Sequence, residues 1–311
     1  MTSPTSTTTT GARRTGMLLA LGTAAISGLA VFLNADAVKA FGNATAYTTA
    51  KNLVAAVVLL AVVASGSRTG ARLTRPRTRG QWAGLTAIGL VGGSVPFVLF
   101  FEGLSRASSA QAAFLHKTLL VWVAVLAVVF LGERLSLLHY LAIGLLVVGQ
   151  IGLIGGVGDF GSAEAMILAA TLLWSVEVVV AKRLLAGVSS WTVGVARMGL
   201  GSVVLVAWVA LRGDLGLITS MTSEQARWVL LTGVLLAGYV GTWFAALQRA
   251  PAVDVTAVLV LAAPVTATLN AVADGVPIGP QLDWLTVLVV GGALAVWASR
   301  QTRSVAPLAA G

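Results

Sequence analysis

The sequence predicts an all-α integral membrane protein, in which ten transmembrane helices form two inverted five-helix repeats. Three observations predict this fold class. First, 57% of the 311 residues are hydrophobic and only 10% are charged, whereas an ordinary soluble domain is about 25% charged. Second, ten apolar stretches approach the roughly 20 residues that a spanning helix needs. Third, the two halves of the chain resemble each other.

The ten apolar stretches follow one another without a segment long enough for a separate soluble domain. A membrane β-barrel would show strands that alternate apolar and polar residues, and the run from Leu141 to Val148 does not alternate. Helices satisfy their own backbone hydrogen bonds in lipid, so helices are favoured. The predicted helices lie at 16–35, 46–65, 81–102, 108–131, 138–156, 164–182, 190–211, 228–248, 253–273 and 282–299.

The basic residues predict the orientation of the chain. If the N-terminus is cytoplasmic, thirteen of the 20 Lys and Arg residues lie at cytoplasmic positions, including five arginines between Arg68 and Arg79. Cytoplasmic loops of membrane proteins carry such an excess. We therefore expect a multi-pass protein of the plasma membrane with both termini in the cytoplasm. Because the net charge of +9 follows this topology, we expect no nucleic-acid partner.

The sequence lacks the residues and motifs that several classes of protein need for their function. The chain has no cysteine and two histidines, which is too few for an all-imidazole metal site. It contains no G-x-x-x-x-G-K-[ST] phosphate loop, no H-E-x-x-H and no G-x-S-x-G motif. The sequence therefore predicts neither an enzyme nor a bound cofactor or metal.

The internal repeat is clearest in the second part of each half. Phe101 to Gly149 aligns without gaps on Phe244 to Gly292, a shift of 143 with about 11 identities in 49. A looser alignment pairs Lys51 with Arg197. Chance alignment of Leu- and Val-rich segments is the alternative. Because five helices is an odd number, the second repeat has inverted topology, an architecture found in many secondary transporters.

The predicted organisation follows from this repeat. Residues 16–156 form the first repeat and 164–299 the second, between a disordered N-terminal tail at 1–15 and a cytoplasmic tail at 300–311. Pro96 and Pro264 lie inside predicted helices, which they either kink or break.

Three short runs of the chain are recognisable motifs: Leu131-Gly132-Glu133-Arg134-Leu135-Ser136, Leu173-Trp174-Ser175 and Ala262-Ala263-Pro264-Val265. Basic residues, Lys51 and Arg197, also stand early in the second and seventh helices. In these features the chain resembles the EamA-type family of the drug/metabolite transporter superfamily. The resemblance implies a small-solute carrier, usually an exporter, with the fifth and tenth helices at the periphery.

The chain departs from the family pattern at three places. The second repeat reads Asp274-Gly275-Val276-Pro277, without the Gly-Glu pair of the first. Val121 stands where the second repeat has Pro264, and His116-Lys117 is not part of the general pattern.

His116 and Lys117 are the sharpest candidates for a functional role. An ionisable residue inside a bilayer costs about 2.5–3.5 kcal/mol on insertion scales, so it is a functional candidate. Adjacent residues of a helix point about 100° apart, so the two cannot face one direction. Our hypothesis is that Lys117 faces a central cavity and binds anionic groups or a carboxylate. The alternative for both is a structural contact between helices.

Five further residues are candidates for substrate binding or coupling. Glu177 would be a proton-coupling carboxylate, or would pair with Lys117, Arg197 or Lys51. Lys51 and Arg197 either face a cavity or extend to the headgroups. Trp174 and Tyr239 either stack on a solute or pack between helices.

Two other acidic positions are expected to have local roles. Asp254, at the start of the ninth helix, is expected to be a helix N-cap. Glu133 is expected to pair locally with Arg134 at a cytoplasmic helix end.

The sequence thus predicts a secondary active transporter that exports a small metabolite or drug-like solute by alternating access. A channel or a non-transporting scaffold is the alternative, and a membrane enzyme using His116 is a weaker one. The partners are the solute, the lipid bilayer and a proton if transport is coupled; the protein is a monomer or a homodimer. Substrate, direction and coupling ion stay open, with an anionic or zwitterionic solute favoured over a cation.

Overall fold

The computed structural model describes residues 5–66, 70–104, 106–107, 109–154, 160–275 and 279–301. Every regular element in these ranges is helical. A π-helix at Ala127–Leu131 and a 3₁₀-helix at Gly279–Gln281 accompany the α-helices. The α-helices are α1 (Thr5–Phe41), α2 (Ala44–Ala64), α3 (Arg79–Val91), α4 (Val95–Leu104), α5 (Ser109–Lys117), α6 (Leu119–Leu126), α7 (Leu137–Ile154), α8 (Ser162–Leu184), α9 (Ser190–Leu211), α10 (Leu215–Thr219), α11 (Ser223–Arg249), α12 (Ala252–Leu259), α13 (Ala262–Asp274) and α14 (Leu282–Gln301).

These helices form the ten spans that the sequence predicts. In the described ranges, nine stretches are long and apolar enough to cross a membrane, and α7 supplies a shorter apolar helix as the tenth. Spans one and two are α1 and α2, span three is α3 with α4, and span four is α5 with α6. Spans five to eight are α7, α8, α9 and α11. Span nine is α12 with α13, and span ten is α14.

The first helix is longer than the sequence predicts. It begins at Thr5, whereas the predicted helix begins at residue 16 and leaves 1–15 as a tail. Arg13 in this added part forms an ion pair with Asp254 at the start of span nine. This contact gives the polar extension of α1 a partner beyond its own helix. Residues 1–4 of the tail and residues 302–311 lie outside the described ranges.

Spans three, four and nine are each interrupted within the membrane region. In span three, α3 ends at Val91 and α4 begins at Val95, just before Pro96, whose ring cannot continue a preceding helix. Span four turns at Thr118, whose hydroxyl donates to the Leu115 carbonyl at 2.6 Å. Span nine is interrupted between Leu259 and Ala262. Interrupted helices free backbone groups where transporters place their sites.

The interruptions of spans four and nine fall at equivalent positions when the two halves of the chain are aligned by the internal repeat. The 143-residue shift that aligns the two halves places Thr118 on Leu261, which lies in the turn of span nine. The same shift places Gly132 on Gly275, and both glycines have φ +66 at the end of their span. Only glycine adopts this conformation without strain. The backbone therefore repeats in detail, although few side chains are identical.

Contacts between the halves build the bundle. Span one packs along span eight, span two along spans seven and eight, and span three along spans six and seven. Spans five and ten pack along each other, where Gly152 lies against the ring of Trp284. Glycine permits this approach because any side chain at position 152 would overlap the indole.

Candidate functional site

The interruption of span three is the centre of the candidate site. Gly93 lies against Gly201 and the Arg197 carbonyl of span seven, and Gly92 lies against the carboxyl group of Glu177 on span six. Side chains at either glycine would collide with these groups. Span three belongs to the first repeat and spans six and seven to the second. The glycines therefore bring the two repeats into direct contact.

Glu177 and Arg197 form a buried ion pair at this contact. Arg197 Nε lies 2.5 Å from Glu177 Oε1 and Arg197 Nη2 lies 3.3 Å from Glu177 Oε2, which is a two-pronged arrangement. The side chains are only 9% and 4% exposed. Of the three partners that the sequence leaves open for Glu177, the structure brings Arg197 to it. Removing one member of a buried pair leaves the other charge uncompensated.

Trp174 provides a hydrogen bond to a backbone carbonyl at the interruption of span three. Its Nε1 donates to the Gly92 carbonyl at 3.1 Å. Its ring also packs edge-on against Phe97 at 5.4 Å and His116 at 5.0 Å between ring centroids. Trp174 is thus held by both a hydrogen bond and an aromatic cluster, which fixes the interruption of span three against span six.

His116 and Lys117 face different parts of the bundle. His116 belongs to the aromatic cluster, and its Nδ1 is buried without a hydrogen-bond partner. Lys117 instead lines a cavity of about 40 Å³, together with Gln150 of span five and Val260 of span nine. The structure therefore places His116, and not Lys117, against Trp174. A contact of either residue with solute stays a prediction.

Lys51 lies in a second buried polar region, formed by spans one, two, three and eight. Its Nζ is 3.4 Å from Asn34 Oδ1, and it lies 5.0 and 5.6 Å from the ring centroids of Tyr47 and Phe101. The Tyr47 hydroxyl donates to Asn34 Oδ1 and lies 2.8 Å from Thr232 Oγ1. Lys51 is 5% exposed, so it does not extend to the headgroups. Within the described ranges no carboxylate lies within ion-pair distance of it.

Tyr239 is stacked on Trp243 of its own helix, with ring centroids 6.0 Å apart and an interplanar angle of 10°. Tyr239 packs against the main hydrophobic core. This packing is compatible with both sequence alternatives, so its role in solute binding stays a prediction.

A third charged cluster lies at the end of the bundle that holds Arg13, here called the Arg13 end. Asp254 accepts from Arg13 Nη2 at 2.7 Å and lies 3.1 Å from His139 Nε2. The Ser136 backbone amide donates to His139 Nδ1, which leaves the imidazole proton on Nε2, directed at Asp254. Asp254 is fully buried. It is not the N-cap of α12, which is Pro251.

Glu133 performs the capping role instead. Its carboxylate accepts hydrogen bonds from the amides of Ala252, at 2.7 Å, and Val253, at 3.2 Å. These are free donors in the first turn of α12. Burial raises the pKa of the Glu133 carboxyl, while these two hydrogen bonds and the Lys182 ammonium oppose the rise.

Lys182 completes the cluster. Its Nζ donates to the carbonyls of Leu247, at 2.5 Å, and Ala250, at 2.6 Å, at the end of span eight. Spans one, four, five and six therefore all bind the turn between spans eight and nine. Sequence reasoning missed this cluster, since its members are far apart in the chain; the Gly132-Glu133 motif was its one visible signal.

Comparison with known proteins identifies the family. The sequence model of the EamA-like transporter family matches the chain twice, at residues 14–155 and 161–298. The chain belongs to the EamA-like transporter family. The two matched ranges correspond closely to the predicted repeats at 16–156 and 164–299. Membership makes this EamA-like chain a multi-pass membrane transporter.

Two further similarities agree with this family. The chain is 31% identical over 104 residues to a protein of Sinorhizobium sp described as "Uncharacterized transporter in cobO 3'region". That alignment covers 32% of this chain and 71% of the relative. A solved chain described as "Crystal structure of protein" superposes with a TM-score of 0.71 at 21% identity, covering 90% of this chain and 98% of the other. The superposition shows a shared fold.

Proposed function

We propose that this EamA-like chain is a secondary active transporter that exports a small metabolite or drug-like solute by alternating access. One observation carries the proposal. The buried Glu177–Arg197 pair lies against the interruption of span three, where the two repeats meet. A binding site between inverted repeats, beside an interrupted helix, can be exposed to one side and then the other when the repeats rock.

The charges at the Arg13 end bear on one step of the proposed cycle. The positive-inside distribution predicts that this end faces the cytoplasm. There, Asp254, Glu133 and Lys182 hold the start of span nine and the end of span eight by buried contacts. This arrangement corresponds to a conformation closed towards the cytoplasm. Loading of solute for export requires that these contacts open.

Glu177 is the proposed coupling residue. A proton that neutralised its carboxylate would weaken the attraction to Arg197 and free both side chains to move or to contact solute. The pair lies where spans three, six and seven meet, so its opening would be transmitted to both repeats. Proton coupling by Glu177 therefore predicts that transport responds to a pH gradient.

Transport by the purified protein tests the proposal. Proteoliposomes are loaded with a metabolite extract from cells that produce the protein, and solute loss is followed by mass spectrometry with and without a pH gradient. A carrier gives saturable, exchangeable loss of particular solutes, and Glu177→Gln removes the effect of the gradient. Unsaturable loss would indicate a channel, and no loss beyond that of empty lipid vesicles would contradict transport.

A further inference from the structure

Lys51 and Arg197, which the looser alignment of the two halves pairs, differ in how their charge is balanced. Arg197 contacts both oxygens of Glu177. Lys51 contacts the neutral amide oxygen of Asn34, at the long distance of 3.4 Å, and the faces of two aromatic rings. Aromatic faces attract a cation without neutralising it. In the part of the chain that the structure describes, Lys51 is therefore a buried cation without an anionic partner.

The residues beside Lys51 on span two also have unused hydrogen-bonding groups. Thr48 is 2% exposed and Asn52 is fully buried. Thr48 Oγ1, Asn52 Nδ2 and Asn52 Oδ1 have no hydrogen-bond partner. Buried polar groups without partners are rare in proteins, and each calls for an explanation. Here three such atoms lie within one turn of the helix.

Thr48 lies between Lys51 and Asn52 around α2. At about 100° per residue, position 48 is about 60° from position 51 and about 40° from position 52, whereas positions 51 and 52 point about 100° apart. This part of α2 thus collects an ammonium group, a hydroxyl group and an amide. Each of them can donate a hydrogen bond to an anion.

A carboxylate matches this set of donors. It carries one negative charge and two oxygens that accept several hydrogen bonds, and bonds from an ammonium to a carboxylate are among the stronger ones in proteins. The rings of Tyr47 and Phe101 beside Lys51 offer apolar surface to the rest of the molecule. A cationic solute would instead be repelled by Lys51.

We propose that Lys51, with Thr48 and Asn52, binds the carboxylate group of the transported solute, and that the substrates of this protein are small organic acids or zwitterions. This inference rests on the proposed transport function and adds the substrate class to it. It also gives the two basic residues separate tasks: Arg197 holds Glu177, and Lys51 holds the solute.

The test uses the loaded proteoliposomes and four proteins: the wild type, Lys51→Met, Lys51→Arg and the matched control Lys39→Met. Lys39 is a strongly exposed lysine, so its replacement removes a charge without touching the site. We expect the solutes lost from wild-type vesicles to carry a carboxylate. Lys51→Met should reduce their loss about 10- to 100-fold, the effect of one charge-assisted hydrogen bond. Lys51→Arg should retain part of the wild-type solute loss, and Lys39→Met should retain all of it.

The outcomes separate this inference from the transport proposal. If wild-type vesicles lose no solute beyond the lipid control, transport itself is contradicted. If they lose solutes that lack a carboxylate, or if Lys51→Met exports carboxylates at the wild-type rate, transport stands and the role of Lys51 is wrong. The chemistry of the solutes lost from wild-type vesicles decides the question even if Lys51→Met fails to fold.

Discussion

Spans four and nine are repeat mates whose backbones agree more closely than their surroundings. Both are interrupted at equivalent positions, at Thr118 and at Val260–Leu261, and both end at a glycine with φ +66. The start of span nine, however, is capped by Glu133. The sequence has Val276 at the position equivalent to Glu133, which cannot cap span four in this way.

The two ends of the bundle differ accordingly. At the Arg13 end, the Arg13–Asp254 pair has a fully buried carboxylate. At the opposite end, Arg212 reaches Glu102 of the other repeat at 2.9 Å, but the arginine side chain is 46% exposed. Exposed pairs are worth about 0–1 kcal/mol, whereas breaking a buried pair costs about 3–5 kcal/mol. The repeat thus contains two spans with similar interruptions, and unequal charges give the two ends unequal strength.

The largest expected effect distinguishes Arg197 from Lys51. Arg197→Met leaves Glu177 buried without its partner, and should reduce the free energy of unfolding by about 3–5 kcal/mol. Lys51→Met should reduce it far less, because no carboxylate is left behind. Thermal unfolding of the purified variants in detergent measures both. The double variant Glu177→Gln/Arg197→Met should recover part of the loss, and equal losses in the two single variants would refute the distinction.

The next effect concerns the closed Arg13 end. Asp254→Asn removes the charge that Arg13 and His139 contact, and should weaken closure by about 1–3 kcal/mol, the value of hydrogen bonds to charged groups. Labelling of a cysteine introduced at the buried Val255 measures opening. Asp283→Asn, at the exposed start of span ten, is the matched control. Labelling that is unchanged by Asp254→Asn would show that the pair does not hold this end closed.

A smaller effect is expected from the cap of span nine. Glu133→Ala removes both acceptor oxygens from the free amides at the start of α12, a change worth about 0.5–2 kcal/mol. Val255 labelling should rise less than in Asp254→Asn. A decrease below the wild-type level would contradict the capping role.

The smallest effect is a dependence of closure on pH. Burial raises the pKa of Glu133 in the closed conformation, relative to about 4.3 for a glutamate in water. The closed end therefore binds a proton more readily than an open one, and closure is favoured as the pH falls through the raised pKa and disfavoured as it rises. Asp254, Lys182, Arg13 and His139 are the charged or titratable neighbours.

Val255 labelling measured across pH, with and without Glu133→Gln, checks this sign. Labelling should increase with pH in the wild type, and this increase should be smaller in the variant. An increase of labelling towards acid pH would contradict the assignment.

Most of the fold could be predicted from the sequence because lipid imposes a simple rule on helix length and composition. The apolar stretches gave the spans, and the repeat gave their division into five and five. Pro96 and Pro264 marked two of the interrupted spans. The third interruption, at Thr118, has no such mark, since no proline lies near it. Only the alignment of Thr118 with Leu261 reveals it.

The site was less predictable because it depends on which helix faces which. Composition identified Glu177 and Arg197 as buried charges but left three possible partners for Glu177. Because His116 and Lys117 are adjacent on a helix, their side chains had to point in different directions. The sequence did not indicate which of the two contacts Trp174. Glu133 was expected to pair locally, yet it caps a helix that begins 119 residues later. Such contacts follow from the packing of spans and not from local sequence.

Alternating access is the central claim, and the accessibility of two equivalent positions tests it most directly. Ala112 in span four and Val255 in span nine are repeat mates, and both are buried. The chain has no native cysteine, so a single cysteine at either position is labelled alone by a membrane-impermeant maleimide. When Asp254→Asn is added, we predict that labelling of Val255→Cys from the cytoplasmic side increases while labelling of Ala112→Cys from outside decreases. Changes in the same direction, or a change at neither position, would contradict a carrier that opens to one side at a time.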